Sequence, residues 1–360
     1  MIKVYVHYDS SVENSLNMRL KAIDEPVLIT GHTGFKGSWL TLLLEMLGIE
    51  WVGISLQPKA DSLYNSIAQK NKREYFADIR NYENLKKIIS TINPKYVIHL
   101  AAQPLVLNSY IEPRETFETN VLGTVNLLDA LVMNASTRKI VIATTDKVYK
   151  QKKFKRSFSE SDSLGGKDPY SWSKVGTEAV IGAWQQISKT QGGPKIISVR
   201  AGNVIGGGDS SQNRLLPDLT KGFISNSCIE IRNPSSTRPW QHALDPLSGY
   251  LLAMATDTKE NAFNFSANSK SLSVQEVTKI AQQAWGSQSH VNFGSIEDSL
   301  ETKSLSLKSM KAKKKLNWHS VWTQEESVVS TVEWWKSVTK KDLSPSEACM
   351  KDISELLNEF

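Results

Sequence analysis

The chain has 360 residues, 40% of them hydrophobic and 22% charged, with a formal net charge of +6. Such a composition describes an ordinary soluble globular protein, long enough to bury a core without cross-links, and its two cysteines, Cys228 and Cys349, stand at no metal-ligand spacing and suit a reducing cytoplasm. No apolar run approaches the ~20 residues of a membrane span, no signal-peptide core opens the chain, and the basic cluster Lys308, Lys311, Lys313, Lys314 and Lys315 lacks interleaved aromatics, so it reads as a solvated helix face and not a nucleic-acid surface.

Residues 1–24 read as an N-terminal extension, with a short edge strand at the alternating Ile2, Val4 and Val6. A buried strand at Val27–Thr30 runs into Gly31-His-Thr-Gly34-Phe-Lys-Gly37, then a helix carries Trp39, Leu40, Leu43, Leu44 and Leu47. Further strands are expected at 51–56, 96–100, 139–143 and 196–199, with helices between them, including one from Asn120 to Met133 and one holding Tyr170. This alternation predicts an α/β fold: a Rossmann-type doubly wound parallel sheet with a smaller α+β substrate-binding lobe. The expected division gives 25–205 plus about 240–265 to the cofactor domain, 206–239 plus 266–338 to the lobe, and 339–360 to a C-terminal helical tail.

Three features carry chemistry. The first is the loop Gly31, Gly34, Gly37, placed between a strand and a helix, where a dinucleotide pyrophosphate would approach backbone N–H groups. The acidic residue usual at the end of the second strand is replaced by Ser55-Leu-Gln-Pro-Lys59, so the residues leave NADP open beside NAD. Asp78-Ile79 is a candidate adenine contact, with a helix cap as the alternative role of Asp78. The second is Tyr170 and Lys174, four apart and on one helix face, where the ammonium would lower the phenol's pKa for proton abstraction while a nicotinamide takes the hydride. The third is Thr145-Asp146-Lys147 upstream.

Together these residues resemble the extended short-chain dehydrogenase/reductase superfamily. Within it, Thr30-Gly-His-Thr-Gly-Phe-Lys-Gly-Ser-Trp39, Leu100-Ala-Ala-Gln-Pro-Leu-Val106, Thr119-Asn-Val-Leu-Gly-Thr124, Arg200-Ala-Gly-Asn-Val-Ile-Gly-Gly-Gly-Asp209 and Arg238-Pro-Trp-Gln-His242 are similar to the CDP-glucose branch of the sugar-nucleotide 4,6-dehydratases. The resemblance covers about residues 25–338. It implies a tightly held NAD, contacted by Gly31, Thr33, Gly34, Phe35, Lys36, Gly37, Asp78, Ile79, Ala101, Ala102, Gln103, Thr119, Tyr170 and Lys174. It implies oxidation at C4 of a hexose, water loss across C5 and C6, and hydride return to C6. Tyr170 would take the C4 hydroxyl proton with Thr145 on the same oxygen, Lys147 would remove the C5 proton, and Asp146 would protonate the leaving hydroxyl. The alternative of a resting Asp146–Lys147 ion pair stays open.

A sugar diphosphate calls for arginine forks, and Arg238, Arg214 and Arg232 are the candidates, joined by Gln103, Asn203 and His242 for the rest of the nucleotide sugar. His99 and the aromatics Trp240 and Tyr250 read as packing residues, a packed polar residue is the alternative role of His242, and Trp172 departs from the small or polar residue usual between Tyr and Lys. The resemblance also implies a cytoplasmic homodimer formed through a four-helix bundle, possibly extended to a tetramer, with no nucleic-acid, membrane or metal partner. The rival functions are a 4-epimerase or a dehydratase of another nucleotide sugar, which Lys147 separates from the epimerase, and a non-catalytic dinucleotide-binding protein, which has no need of Tyr170, Lys174 and Thr145–Lys147 together.

Overall fold

Short strands, the central ones apolar on both faces, pair side by side into a parallel sheet, as strands covered on both faces do. The computed structural model describes residues 15–67, 73–132, 134–151, 156–231, 233–267, 271–294 and 305–360. The strand expected at Ile2, Val4 and Val6, Met133 at the end of an expected helix, and Arg232 lie outside them.

A short helix α1 (Ser15–Leu20) precedes β1 (Val27–Thr30), α2 (Phe35–Met46), β2 (Trp51–Ser55), α3 (Leu63–Ser66), β3 (Glu74–Phe76), α4 (Tyr82–Ile92) and β4 (Tyr96–His99). Next come α5 (Val106–Ile111) and α6 (Pro113–Phe117). The helix expected from Asn120 begins instead with a π turn, Glu118–Leu122, before α7 (Gly123–Val132). Such turns recur at functional sites, and this one buries Asn120. β5 (Lys139–Ala143) ends in a 3₁₀ turn, Asp146–Val148, and α8 (Pro169–Gln191) and β6 (Lys195–Ala201) follow.

These six strands and β11 (Ala262–Phe265) form one sheet in the order β11-β6-β5-β4-β1-β2-β3, every pair parallel. Alternation along each strand sorts its side chains between two cores. Val27, Ile29, Ile98, Val141, Ile197 and Val199 face one; Leu28, Ile54, Val97, Ile140, Ile142 and Ile196 face the other. Order reverses between β1 and β4, the place where open α/β sheets leave a crevice at the strands' C-terminal ends.

Before and after β11 the chain builds a separate apolar cluster. It uses β7 (Asn203–Ile205), α9 (Leu215–Ser225), β8 (Ile229–Ile231), β10 (Trp240–His242) and, after α10 (Leu244–Ala255) and β11, also β12 (Leu272–Ser273), with which β9 (Thr237–Arg238) pairs, α11 (Val274–Trp285) and β13 (Val291–Phe293). α12 (Met310–Leu316) carries the lysine cluster, with Lys311 paired to Glu260 at 3.1 Å. α13 (Gln324–Thr339) and α14 (Pro345–Asn358) close the chain. The apolar face of α14 (Ala348, Cys349, Ile353, Leu356 and Leu357) docks on this same chain, beside Trp39, Trp322 and Trp334. Both cysteines are free thiols.

One buried acid gives the fold a pH dependence. Asp245, in the first turn of α10, is fully buried and accepts from the Val321 backbone N–H at 2.7 Å. Burial pushes its pKa up to about 8, against smaller lowering by the Val321 and Trp322 N–H groups. A carboxyl raised in the folded state favours folding when protonated, and that contribution drains away as pH climbs from about 4 through about 8. Asp245→Asn should therefore unfold at a higher denaturant midpoint than wild type at pH 8. The gap should shrink on going to pH 5, with a slope of up to ~1.4 kcal/mol per pH unit. Parallel denaturation curves at both pH values would contradict the assignment.

Candidate active site

The loop after β1 is built by close approach. Gly31 has φ +78° and a Cβ there would lie 2.7 Å from the Ala101 nitrogen, at the end of β4. A Cβ on Gly37 would sit 2.1 Å from the Gly31 carbonyl oxygen. The glycines thus bring the first turn of α2 against the crevice, and its N-cap, Gly34, supplies no side chain to cap it. Free N–H groups at a helix N-terminus next to a strand switch suit a pyrophosphate, so the residues fit a bound dinucleotide. Thr33 ties the loop to β2, through Ser55 Oγ at 2.7 Å and the Leu56 carbonyl at 3.0 Å. Ala102 and Thr119 are half-buried, Phe35 packs beside the core, and Ile79 is buried.

Asp78 does not present a free carboxylate: the Arg80 guanidinium binds it at 2.6 Å, and its pKa is lowered chiefly by that bond. It does not cap α4 either, since Asn81 does. Gln103 likewise turns its amide away from the role expected of it. Its Nε2 donates to Thr116 Oγ1 at 2.8 Å and to the Leu105 carbonyl at 3.1 Å, and its Oε1 accepts from Leu105 N at 2.6 Å. The loop it stabilises is pinned from the other side by Asn120, which bonds Gln103 N at 2.8 Å and Ser173 Oγ at 2.8 Å.

At the end of β5 the structure brings Thr145, Asp146, Lys147, Tyr170 and Asn203 together. Asp146 is fully buried; its Oδ1 accepts from Thr145 Oγ1 at 3.1 Å and lies 3.5 Å from Lys147 Nζ. Its Oδ2 is buried without a hydrogen-bond partner. Lys147 Nζ also donates to Asn203 Oδ1 at 3.2 Å. Tyr170 is pushed up to about 12 by burial, against the lowering effects of its bond with Thr145 and of Arg214. The expectation that Lys174 would hold this phenol low is not met in the free protein. Lys174 Nζ donates to the Ala143 carbonyl at 3.2 Å, and burial lowers its own pKa to about 8 while Glu178 raises it. Lys36 completes the cluster: half-buried, its Nζ donates to Tyr250 Oη at 3.2 Å, and desolvation, Lys174 and Arg214 lower its pKa to about 7.

The residues expected on the sugar-diphosphate side divide. Arg214, on the loop before α9, is partly exposed and paired with Asp209 at 2.9 Å. Arg238 is buried on β9, one nitrogen donating to the Thr237 carbonyl at 2.9 Å. His242 is not in the cluster. Its ring lies in the core between Trp39 and Trp322, and its Nε2 faces Asp352 of α14 at 3.3 Å without hydrogen-bond alignment. It ends a strand whose neighbour β7 carries Asn203, so sequence proximity to the site places its backbone there and not its side chain. His99 is a packing residue as expected, bonded to Thr30 and Thr124, with burial lowering its pKa to about 3. Trp172 is half-exposed; two positions past Tyr170, it points roughly 200° around the helix from it. Sequence reasoning gave no role to Asn120, Glu178 and Arg200; Tyr250, read as a packing residue, is buried beside Phe265 and also meets Lys36 through its hydroxyl. The one available signal was Glu178, four residues past Lys174 and on its helix face.

The profile of the GDP-mannose 4,6 dehydratase family matches residues 28–331. The chain belongs to this family. It is 38% identical over 324 residues to a CDP-glucose 4,6-dehydratase of Salmonella typhimurium, spanning 86% of this chain and 90% of that protein. A UDP-glucose 4-epimerase of Halalkalibacterium halodurans is 27% identical over 279 residues, with 72% and 80% covered. In three dimensions the dehydratase-family chain superposes on a dTDP-glucose 4,6-dehydratase of Streptomyces venezuelae solved with NAD. The TM-score is 0.77 at 23% identity, with 89% of this chain and 99% of that one covered. An epimerase of Methanothermobacter thermautotrophicus gives a TM-score of 0.81 at 22% identity, covering 91% and 96%. At these identities the structural likeness establishes the extended short-chain dehydrogenase/reductase fold.

The loop geometry separates two of its glycines. Gly37→Ala should lower the unfolding midpoint as overpacking does, by about 1–3 kcal/mol. Gly34→Ala, at φ −76° and with its nearest obstruction at 3.3 Å, should cost less than half of that. Equal thermal shifts for the two would refute this account of the loop.

Proposed function

We propose that the protein is an NAD-dependent CDP-glucose 4,6-dehydratase, forming CDP-4-keto-6-deoxyglucose in the cytoplasm. The observation that carries this is Lys147 in the third place of Thr145-Asp146-Lys147, its Nζ set between Asp146 and Asn203. The relative from Salmonella typhimurium supports the choice of base and sugar. The Gly31–Gly37 loop would hold NAD, which when bound would supply hydride acceptance from C4, hydride return to C6 and a positively charged nicotinamide ring. Tyr170 accepts the C4 hydroxyl proton, with Thr145 on the same oxygen. Burial alone keeps the phenol protonated, so nearby positive charge, including Arg214, must draw it down.

Elimination then needs a base at C5 and an acid at C6. Asp146 and Lys147 form one contact that holds one mobile proton. As an ion pair the proton is on Lys147; transferred across the contact, it leaves a neutral amine to take the C5 proton and a carboxylic acid to protonate the departing hydroxyl. The unpartnered Asp146 Oδ2 is the oxygen available to that hydroxyl. Lys174 and Lys36 set the electrostatic field, Asn203, Arg214 and Arg238 belong to the substrate side, Gln103 holds the loop beside it, and 206–239 with 266–338 form the lobe for the nucleotide sugar. His242 supports β10 from the core.

Incubation with CDP-glucose should give a product lighter by one water, seen by mass spectrometry, and faster than with dTDP-, UDP- or GDP-glucose. Lys147→Met should lose about 10²–10⁴-fold in turnover, the worth of a general base, while still reducing the cofactor at C4. Full water loss by this variant, or none by the wild type, would defeat the proposal.

The homodimer belongs to the same proposal. Tyr110, Ile111, Phe117 and Leu122 on α5, α6 and the π turn, with Trp172 and Ile187 on α8, leave large apolar groups in water on the two helical segments that would pair with those of a second copy. Sedimentation should find twice the 40.2 kDa chain mass for wild type and a monomer for Leu122→Glu. A monomeric wild type would exclude the dimer.

A further inference from the structure

Both ends of the turn that carries Thr145, Asp146 and Lys147 are fastened to one buried ion pair. Upstream, Thr144 Oγ1 donates to Glu178 Oε1 at 2.6 Å. Downstream, Tyr149 Oη accepts from Arg200 Nη1 at 2.8 Å, and the guanidinium lies 5.2 Å from the Tyr149 ring centroid. The pair itself is fully satisfied. Arg200 donates to Oε1 through Nε at 2.8 Å and to Oε2 through Nη2 at 2.7 Å, and Ser198 Oγ donates to Oε1 at 2.6 Å. Tyr149 passes the linkage on to Asn264 of β11 at 2.7 Å, whose amide reaches the Phe158 carbonyl at 3.2 Å. Glu178 also stands one helical turn after Lys174 and two after Tyr170 on α8.

We propose that Glu178 and Arg200 are positioning residues for the dehydration, holding the Thr145–Val148 turn in register with Tyr170 and Lys174. The proposal rests on the dehydratase reading of the site. Stability is a poor explanation for the pair, because a buried ion pair often gives no more than an apolar core of the same volume. Register is a better one. Thr145 and Tyr170 must meet the C4 oxygen while Asp146 and Lys147, on the next residues, meet C6 and C5 of the same ring. A displacement of ~1 Å in such a set costs about 100-fold. Glu178 joins the two halves directly: its backbone belongs to the Tyr170–Lys174 helix and its carboxylate to the turn.

Two variants test this. Tyr149→Phe removes only the hydroxyl between Arg200 and Asn264 and leaves the ring stacked on Phe158. Glu178→Gln removes the charge. Amide hydrogen exchange, measured without any sugar, should quicken at least tenfold in peptides spanning 144–150 of Tyr149→Phe, with the rest of the chain and the unfolding temperature near wild type. On CDP-glucose, kcat should fall about 10-fold for Tyr149→Phe and about 100-fold for Glu178→Gln, with KM within twofold. Should Glu178→Gln not fold, Tyr149→Phe carries the test alone. Wild-type exchange and kcat in a folded Tyr149→Phe would overturn the proposal, as would loss of protection spread over the whole chain. If wild type does not act on CDP-glucose, the substrate assignment fails, and the exchange measurement still decides the role of the pair.

Discussion

The approach of α2 to the strand ends of β1 and β4 is the contact on which everything else in this molecule is hung. It is a contact between backbones, possible only because position 37 has no side chain: a single methyl group there would overlap the Gly31 carbonyl. With the helix held that close, its uncapped N-terminus faces the crevice, Lys36 is carried inward to Tyr250, and Trp39 reaches over to the Gly207 carbonyl at 3.1 Å, joining the sheet to the chain that begins the smaller cluster.

Around that contact the protein gathers more positive charge than an apolar interior tolerates. Lys174 is buried and Lys36 half-buried, and desolvation pulls both below the ordinary lysine range, to about 8 and about 7. Tyr170 is driven the opposite way, to about 12. All three shifts have burial as their largest cause, and in each the free protein disfavours the charged form. Negative charge brought near the lysines, or positive charge brought near the phenol, would favour their charged forms.

Much of this was legible in the chain. The order of strands and helices, the glycine loop, and the helices at 215–225 and 274–285 stand where hydrophobic spacing and turn residues put them, because those signals are local. Tyr170 and Lys174 fall on one helix for the same reason. What spacing does not encode is where a long side chain ends. Lys174 reaches a carbonyl on β5, Gln103 folds back on its own loop, Asp78 takes Arg80, and His242 points into the core from a strand adjoining the site. The first and last depend on residues brought up from elsewhere in the sequence, and the other two on local bonds that compete with a ligand. Glu178 and Arg200 were hidden by the same distance, although a charged residue on the inner face of a helix always implies a partner somewhere.

The last helix raises a question of timing. α14 supplies Ile353, Leu356 and Leu357 to the same core that holds Trp39 and Leu43 of α2, and Trp322 Nε1 meets Glu355 at 2.8 Å. On a ribosome adding about 5–20 residues per second, the first of these groups emerges on the order of 15–60 s before the last. From the emergence of β11 until α14 follows, on the order of 5–20 s, one face of the nascent sheet has its strands but not all of its covering layer, and its tryptophan and leucine side chains remain available to chaperones or to other chains. The support behind the Gly31–Gly37 loop is thus completed by α14, long after the loop itself has been made.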